Sequence, residues 1–205
     1  MPSNSPITRT NRASSTWRFG FVLFAGILCL FLFWNRPAAL PEVLSSELTR
    51  RDGLLYHGDR KQPFTGVMLE NLAGGGLKSR SVVRAGVLEG LSEGWHTNGQ
   101  LQVREFFKKG TSHGLREKWY ENGIKLSAGA IVAGKHEGVF RRWHENGTLA
   151  EEVTMRQGEP EGLSRSFYPS GFLKAQATFK NGKIVEQKSW ADGELKGSPA
   201  LASSR

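Results

Sequence analysis

Hydrophobic residues follow two different patterns along the chain. From Phe19 to Trp34 the sequence reads FGFVLFAGILCLFLFW, an apolar run without a charge. A helix over this run falls slightly short of a ~30 Å hydrocarbon core, and Trp17, Arg18 and Arg36 at its flanks extend its reach to both interfaces. The run predicts one N-terminal transmembrane helix over 19–35. Arg9, Arg12 and Arg18 precede it without an acid. The positive-inside rule therefore predicts 1–18 as a cytoplasmic basic tail of a single-pass membrane protein, with everything after the helix extracytoplasmic, and periplasmic if the source is a Gram-negative bacterium. A cleaved signal peptide is the alternative, but Arg36-Pro37-Ala38-Ala39 puts a charge or a proline where small residues are wanted. Residues 36–50 read as a linker, with Pro41, Val43, Leu44 and Leu48 spaced for one short amphipathic helix. Residues 197–205 read as a disordered tail.

Past residue 50 the long apolar run gives way to short alternating runs punctuated by glycine. Gly66, Gly90, Gly114, Gly138 and Gly162 recur every 24 residues. With these as position 0, a second glycine row occupies position 9 (Gly75, Gly99, Gly123, Gly147, Gly171) and a third position 20 (Gly86, Gly110, Gly134, Gly158, Gly182). Position 5 holds Asn71, Trp95, Trp119, Trp143 and Phe167, and position 11 holds Leu77, Leu101, Lys125, Leu149 and Leu173. Position 17 holds Val83, Phe107, Ile131, Met155 and Phe179. Each unit reads as a β-hairpin, because Asn98-Gly99, Asn122-Gly123 and Asn146-Gly147 sit between alternating runs. Pro169 and Ser170 decide the loop type. A two-residue loop needs positive φ at Ser170 and a backbone N–H at Pro169, whereas a three-residue loop closed by a glycine bulge tolerates both. Position 5 then faces position 11 across the hairpin, and positions 1, 5, 11 and 17 are expected on one side of the sheet. Lys125 interrupts the leucine row, which suggests a local shift in that hairpin.

The predicted fold class is an all-β repeat array. It is an elongated antiparallel β-hairpin meander over 51–196, with repeats starting at 66, 90, 114, 138 and 162 and a partial repeat from 186. Arg51 to Gly66 is expected to cap one end, since a stack of hairpins has only neighbour contacts and needs capping.

The motifs Trp119-Tyr-Glu-Asn-Gly123, Trp143-His-Glu-Asn-Gly147 and Lys180-Asn-Gly-Lys183 resemble the variant MORN repeat. The opening segment Arg51-Asp52-Gly53-Leu54-Leu55-Tyr56, followed by Pro63-Phe64-Thr65-Gly66, is similar to the start of bacterial proteins of this class, which are grouped as antitoxin-like components of toxin–antitoxin systems. The resemblance covers about Arg51 to Lys196. It implies a β-hairpin array with a binding or scaffold role and brings no catalytic residues.

Composition refines this picture. Glycine accounts for 25 residues against 8 prolines, and fifteen of them fill the three repeat rows, so the richness is turn chemistry. A single cysteine excludes a disulfide framework and a multi-cysteine zinc site. The formal charge of +9 is partly the N-terminal tail, and the remaining cations lie beside acids, which argues against a nucleic-acid stripe. Two segments match the G-x-S-x-G nucleophile pattern, Gly90 to Gly94 and Gly110 to Gly114, but that pattern works only where a strand feeds a turn into a helix. His96 and His144 share position 6, two repeats apart and too far for one metal ion, with Tyr120 and Tyr168 between and beyond them. These four are expected to form a polar-tipped ladder on the second face. His113 and His136 fall near inter-repeat turns and are expected in solvent. No enzyme activity, cofactor or metal is expected.

The column Trp95, Trp119, Trp143 and Phe167 has two readings. It is core, with adjacent strands covering one another, or it is a rail for a protein, a peptide or a glycan. The expected function is a membrane-anchored, non-catalytic scaffold that binds another macromolecule, foremost a protein. An antitoxin-like inhibitor and a cell-wall or glycan-binding module are the alternatives. A phosphatase reporter fused after Lys196 is expected to be active outside the cytoplasm; an inactive but well-expressed fusion refutes the outward orientation.

Overall fold

The computed structural model describes residues 39–194. The predicted helix over 19–35, the tail 1–18 and the tail 197–205 lie outside the described residues. Among the described residues, no helix is long and apolar enough to cross a membrane.

The described chain is almost entirely strand. It begins with β1 (Glu42–Leu44), a 3-10 turn (Ser45–Glu47), β2 (Leu48–Arg51) and β3 (Leu54–His57). The repeats follow as β4 (Gly66–Asn71), β5 (Leu77–Arg84), β6 (Val87–Trp95), β7 (Leu101–Lys108), β8 (Thr111–Ser112), β9 (Gly114–Trp119), β10 (Lys125–Val132), β11 (Lys135–Trp143), β12 (Leu149–Arg156), β13 (Glu159–Phe167), β14 (Leu173–Lys180) and β15 (Lys183–Ser189). From β4 onward each strand pairs antiparallel with the next in one sheet, β8 lying beside β7 as a short forerunner of β9. This is the expected hairpin meander.

Two kinds of turn alternate along it. At position 9 the His96 N–H donates to the Gln100 carbonyl (2.8 Å) and the Gly99 N–H to the His96 carbonyl (2.9 Å). Thr97, Asn98 and Gly99 therefore form a three-residue loop, with Gly99 at φ +82° as its left-handed residue. The same bonds close the loops at Tyr120, His144 and Tyr168. They also close the glycine-rich first loop, where Gly75 donates to Leu72 (3.0 Å), with Gly76 at φ +85° as a second left-handed residue. At position 20 the turn has two residues, both at positive φ: Ala85-Gly86, Lys109-Gly110, Ala133-Gly134, Gln157-Gly158 and Asn181-Gly182. Such turns match the right-handed twist of the flanking strands.

Faces differ from the expectation in one respect. Position 5 does oppose position 11, as in Trp95↔Leu101, Trp143↔Leu149 and Phe167↔Leu173. Lys125 opposes Trp119 in the same register, so its hairpin is not shifted. Position 17, however, pairs with position 0: Val83 with Gly66, Phe107 with Gly90, Ile131 with Gly114. Every hairpin skips one residue just after position 11, namely Lys78, Gln102, Leu126, Ala150 and Lys174. One extra residue reverses the alternation beyond it. Positions 1, 5 and 11 thus share a front face, while position 17 lies on the back. Val83 and Ile131, the largest fully buried side chains, are back-face residues.

The N-terminal cap is larger than expected and contains no amphipathic helix. β1 lies inside the stretch 36–50 and pairs in parallel with β4, Val43 opposite Met68. The strand form wins because Val43 then packs with Phe64 and Val83 in a buried cluster. β2 and β3 form a separate hairpin. Phe64 links the cap to the first two-residue turn, accepting from the Gly86 N–H at 2.8 Å while its own N–H donates to Leu55 at 2.8 Å.

Ala133 sits at φ +48°, where a Cβ costs about 1–2 kcal/mol. Ala133→Asn is expected to stabilise the fold by up to about 1 kcal/mol, since asparagine tolerates this region. Gly134→Ala, at φ +80° with Thr111 Cγ2 3.4 Å from the new methyl, is expected to cost at least about 1 kcal/mol. Urea-unfolding midpoints of the two variants check both signs.

Candidate binding face

The front face is organised in rows that run across the strands. The aromatic row holds Trp95, Trp119 and Trp143, all half-buried, and Phe167, 6% exposed. The column is thus partly core at its C-terminal end and partly accessible elsewhere. The next row is ionic. Arg80, Glu93, Arg104 and Glu117 oppose one another in sequence across four strands, and Arg141, Glu152 and Arg165 continue the row beyond Ala128. Arg104 Nε donates to Glu93 at 2.9 Å, Arg141 Nε to Glu152 at 2.8 Å and Arg165 to the other Glu152 oxygen at 2.9 Å. Lys125, the apparent break in the leucine row, donates to Glu117 at 2.6 Å, and its ammonium lies 5.9 Å from the Trp119 ring centroid. Side-chain exposure of the acids is only 14–16%. The face is therefore fixed in place by cross-strand pairs of opposite charge.

A third row, at position 1, is aliphatic; it is buried at Val67, partly covered at Leu91 and open from Leu115 onward. Leu115, Val139 and Leu163 are 48%, 45% and 47% exposed, and Phe106, opposite Leu91, is exposed as well. At the rim beyond it, every two-residue turn carries cations: Arg84; Lys108 and Lys109; Lys135; Arg156; Lys180 and Lys183. All are exposed. None forms an ion pair among the described residues. Glu159 is the one acid at the four positions concerned.

The four polar residues of position 6 bind the next repeat's backbone. His96 Nε2 donates to the Trp119 carbonyl (2.9 Å), Tyr120 Oη to Trp143 (2.9 Å), His144 Nε2 to Phe167 (2.9 Å) and Tyr168 Oη to Trp190 (3.0 Å). The loop asparagines do the same one step further out, Asn98 to Glu121 (2.7 Å), Asn122 to Glu145 (3.1 Å) and Asn146 to Pro169 (2.8 Å). A histidine imidazole and a tyrosine phenol are interchangeable here because both place one donor at the same reach. Among the described residues no group of three potential metal ligands is assembled.

The segment Gly90 to Gly94 lies within β6, and Gly110 to Gly114 runs from a two-residue turn through β8 to the start of β9. Ser92 Oγ and Ser81 Oγ share a 2.8 Å hydrogen bond, and Ser112 Oγ donates to Glu105 at 3.1 Å. Glu105 also receives Arg116 Nε at 2.8 Å, so Ser92 meets another hydroxyl and Ser112 a carboxylate already held by an arginine. His113 is exposed as expected, but His136 is not in open solvent. Its Nδ1 is buried without a hydrogen-bond partner, and its ring packs edge-on against Phe140 at 5.0 Å. His136 pairs with the fully buried Ile131, a neighbour that the spacing of the histidines alone does not reveal.

One family model matches parts of this sequence. The family described as MORN repeat variant matches residues 88–109, 137–157 and 160–181. Those three segments are similar to that repeat. No curated protein matches. Among solved structures, the chain is similar to a mutant of S. aureus TarM in complex with Fondaparinux, alpha-GlcNAc-glycerol and UDP, at 14% identity and a TM-score of 0.32 over 46% of this chain and 19% of that one. A second TarM crystal structure gives 14% identity and a TM-score of 0.32 over 48% and 19%. The chain spans about 19% of the length of these proteins.

Burial lowers the His136 pKa from its ordinary 6.5, and the charges of Arg116 and Lys118 push the same way. The folded state then binds fewer protons than the unfolded one, so the stability from neutral His136 is complete above about 6.5 and is lost as pH falls below it. His136→Leu is expected to flatten the fall in urea midpoint between pH 7.5 and pH 5.5. An unchanged slope refutes the assignment.

Proposed function

We propose that this protein is a non-catalytic scaffold, tethered by Phe19 to Trp34 and facing away from the cytoplasm, whose front face binds a protein partner. MORN-variant repeats are consistent with a binding role. The observation that carries the reading is the aliphatic row Leu115, Val139 and Leu163, exposed at equal intervals on a face otherwise locked by ion pairs. Apolar side chains repeated at such exposure over one surface mark an interaction site rather than scattered surface leucines. Each repeat adds two strands, or ~10 Å of sheet width, so the row offers a contact at regular intervals to an elongated partner.

The aromatic row supports a glycan less well. Its rings are half-buried and flanked by the ionic row, and Lys125 stands over Trp119. An inhibitor of a toxin would use the same front face and differs only in what its partner does. Among the described residues Ser92 bonds to Ser81, Ser112 bonds to the ion-paired Glu105, and no group of three metal ligands is assembled.

Replacing Leu115, Val139 and Leu163 together by serine is expected to leave the unfolding midpoint nearly unchanged, because the side chains are half in water already. Recovery of the partner on the tagged full chain is expected to fall about tenfold, as for loss of central interface contacts. Quantitative mass spectrometry of cross-linked captures reads the ratio. Equal recovery by the serine variant overturns the front-face reading.

A further inference from the structure

On the front face of the described residues, cations differ by place. Those of the mid-strand ionic row are paired: Arg104 with Glu93, Arg141 and Arg165 with Glu152. Those at the two-residue turns are not, and each turn of the array has at least one, at Arg84, Lys108, Lys135, Arg156 and Lys180. In each turn the residue at position 18 opposes the residue at position 21, as in Val132↔Lys135 and Arg156↔Glu159. Both positions fall on the front face, next to the aliphatic row. The nearby acids face a different task. Glu89, Glu137 and Glu161 accept the turn N–H groups of Lys109, Gln157 and Asn181 at 2.5, 2.8 and 2.9 Å. The turn cations are thus left without side-chain partners.

We infer that the occupant of the front face is an extended acidic polypeptide segment that alternates carboxylates with apolar side chains; this deepens the protein-binding reading and rests on it. The segment lies across the strands. Its apolar side chains cover Leu115, Val139 and Leu163, and its carboxylates meet the turn cations. An extended segment in the polyproline II conformation has three residues per turn and advances ~3.1 Å per residue, so its i and i+3 side chains share a side and recur about once per ~10 Å repeat. An extended chain fits because the open apolar strip is one side chain wide, between the unpaired cations and the ion-paired row.

That narrowness decides against an anionic bilayer. Sinking Leu115, Val139 and Leu163 into hydrocarbon draws the neighbouring Glu117, Arg141, Glu152 and Arg165 below the headgroups, where charged groups are costly. A nucleic acid or anionic polysaccharide has no apolar side chains for the strip.

The test uses the full chain in detergent and a fluorescent synthetic peptide of about twelve residues, alternating glutamate with leucine and glycine, long enough for four repeats. Anisotropy is expected to show binding that weakens as salt rises. The variant Lys108→Glu/Lys135→Glu/Arg156→Glu is expected to bind at least about tenfold more weakly, with its unfolding midpoint and its circular dichroism retained. A peptide with lysine for glutamate is expected not to bind. Equal binding by the charge-reversed variant overturns the inference, as does equal binding of the lysine peptide. So does binding to phosphatidylglycerol vesicles without binding to the acidic peptide. If the captured partner is lost on serine substitution but kept on charge reversal, the front-face reading stands and the acidic-segment inference fails.

Discussion

Each repeat in this array is completed by hydrogen bonds donated to or received from its neighbour. The turn glycines show it most directly: Gly110 donates to Leu88, Gly134 to Ser112 and Gly158 to His136, all at 2.8–2.9 Å and all across a repeat boundary. At the opposite end of the strands His96, Tyr120, His144 and Tyr168 close the gap in the reverse direction, each donating to the repeat that follows. A hairpin alone leaves these carbonyls and N–H groups to water, and isolated two-stranded hairpins are marginal at best. Burial is modest throughout, with few side chains fully enclosed. The polar ladders at both ends hold the register that makes even this thin core continuous.

Much of the fold was legible because turn chemistry is local. Pro169 and Gly171 were enough to choose the three-residue loop, and Gly171 does sit at φ +89°. The opposition of position 5 to position 11 followed from that loop. The reversal beyond position 11 did not, because Lys78, Gln102, Leu126, Ala150 and Lys174 have no chemistry in common. A bulge is defined by what the partner strand skips, and no single strand records it. β1 escaped for a related reason: three residues, Glu42–Leu44, pair in parallel with a strand more than twenty positions later. Nothing local distinguishes them from a spacer.

The binding face was legible only in outline. The aromatic column stood out by residue type, yet it is the plainer aliphatic row at position 1 that is open to solvent from Leu115 onward. Exposure depends on what stands opposite. Ala128 and Ala130, small residues in β10, oppose Glu117 and Leu115 and leave Leu115 uncovered. The charge assignment needed three dimensions too. Lys125 and Arg141 look like the cations of the turns in a list of residues, and only the sheet shows that they have carboxylates across the strand while Lys135 does not.

The two ends of the array are unlike. At the first, Val43, Phe64 and Val83 form a closed cluster under a parallel strand. At the last described strand, β15 is exposed at all of its positions. The interfaces between are near copies of one another. Such a molecule has a built-in direction and a unit of length: duplication of one 24-residue segment inserts another ~10 Å of identical surface without disturbing the sealed end. Reach, rather than the chemistry of contact, is then the property that gene duplication changes most cheaply in this fold.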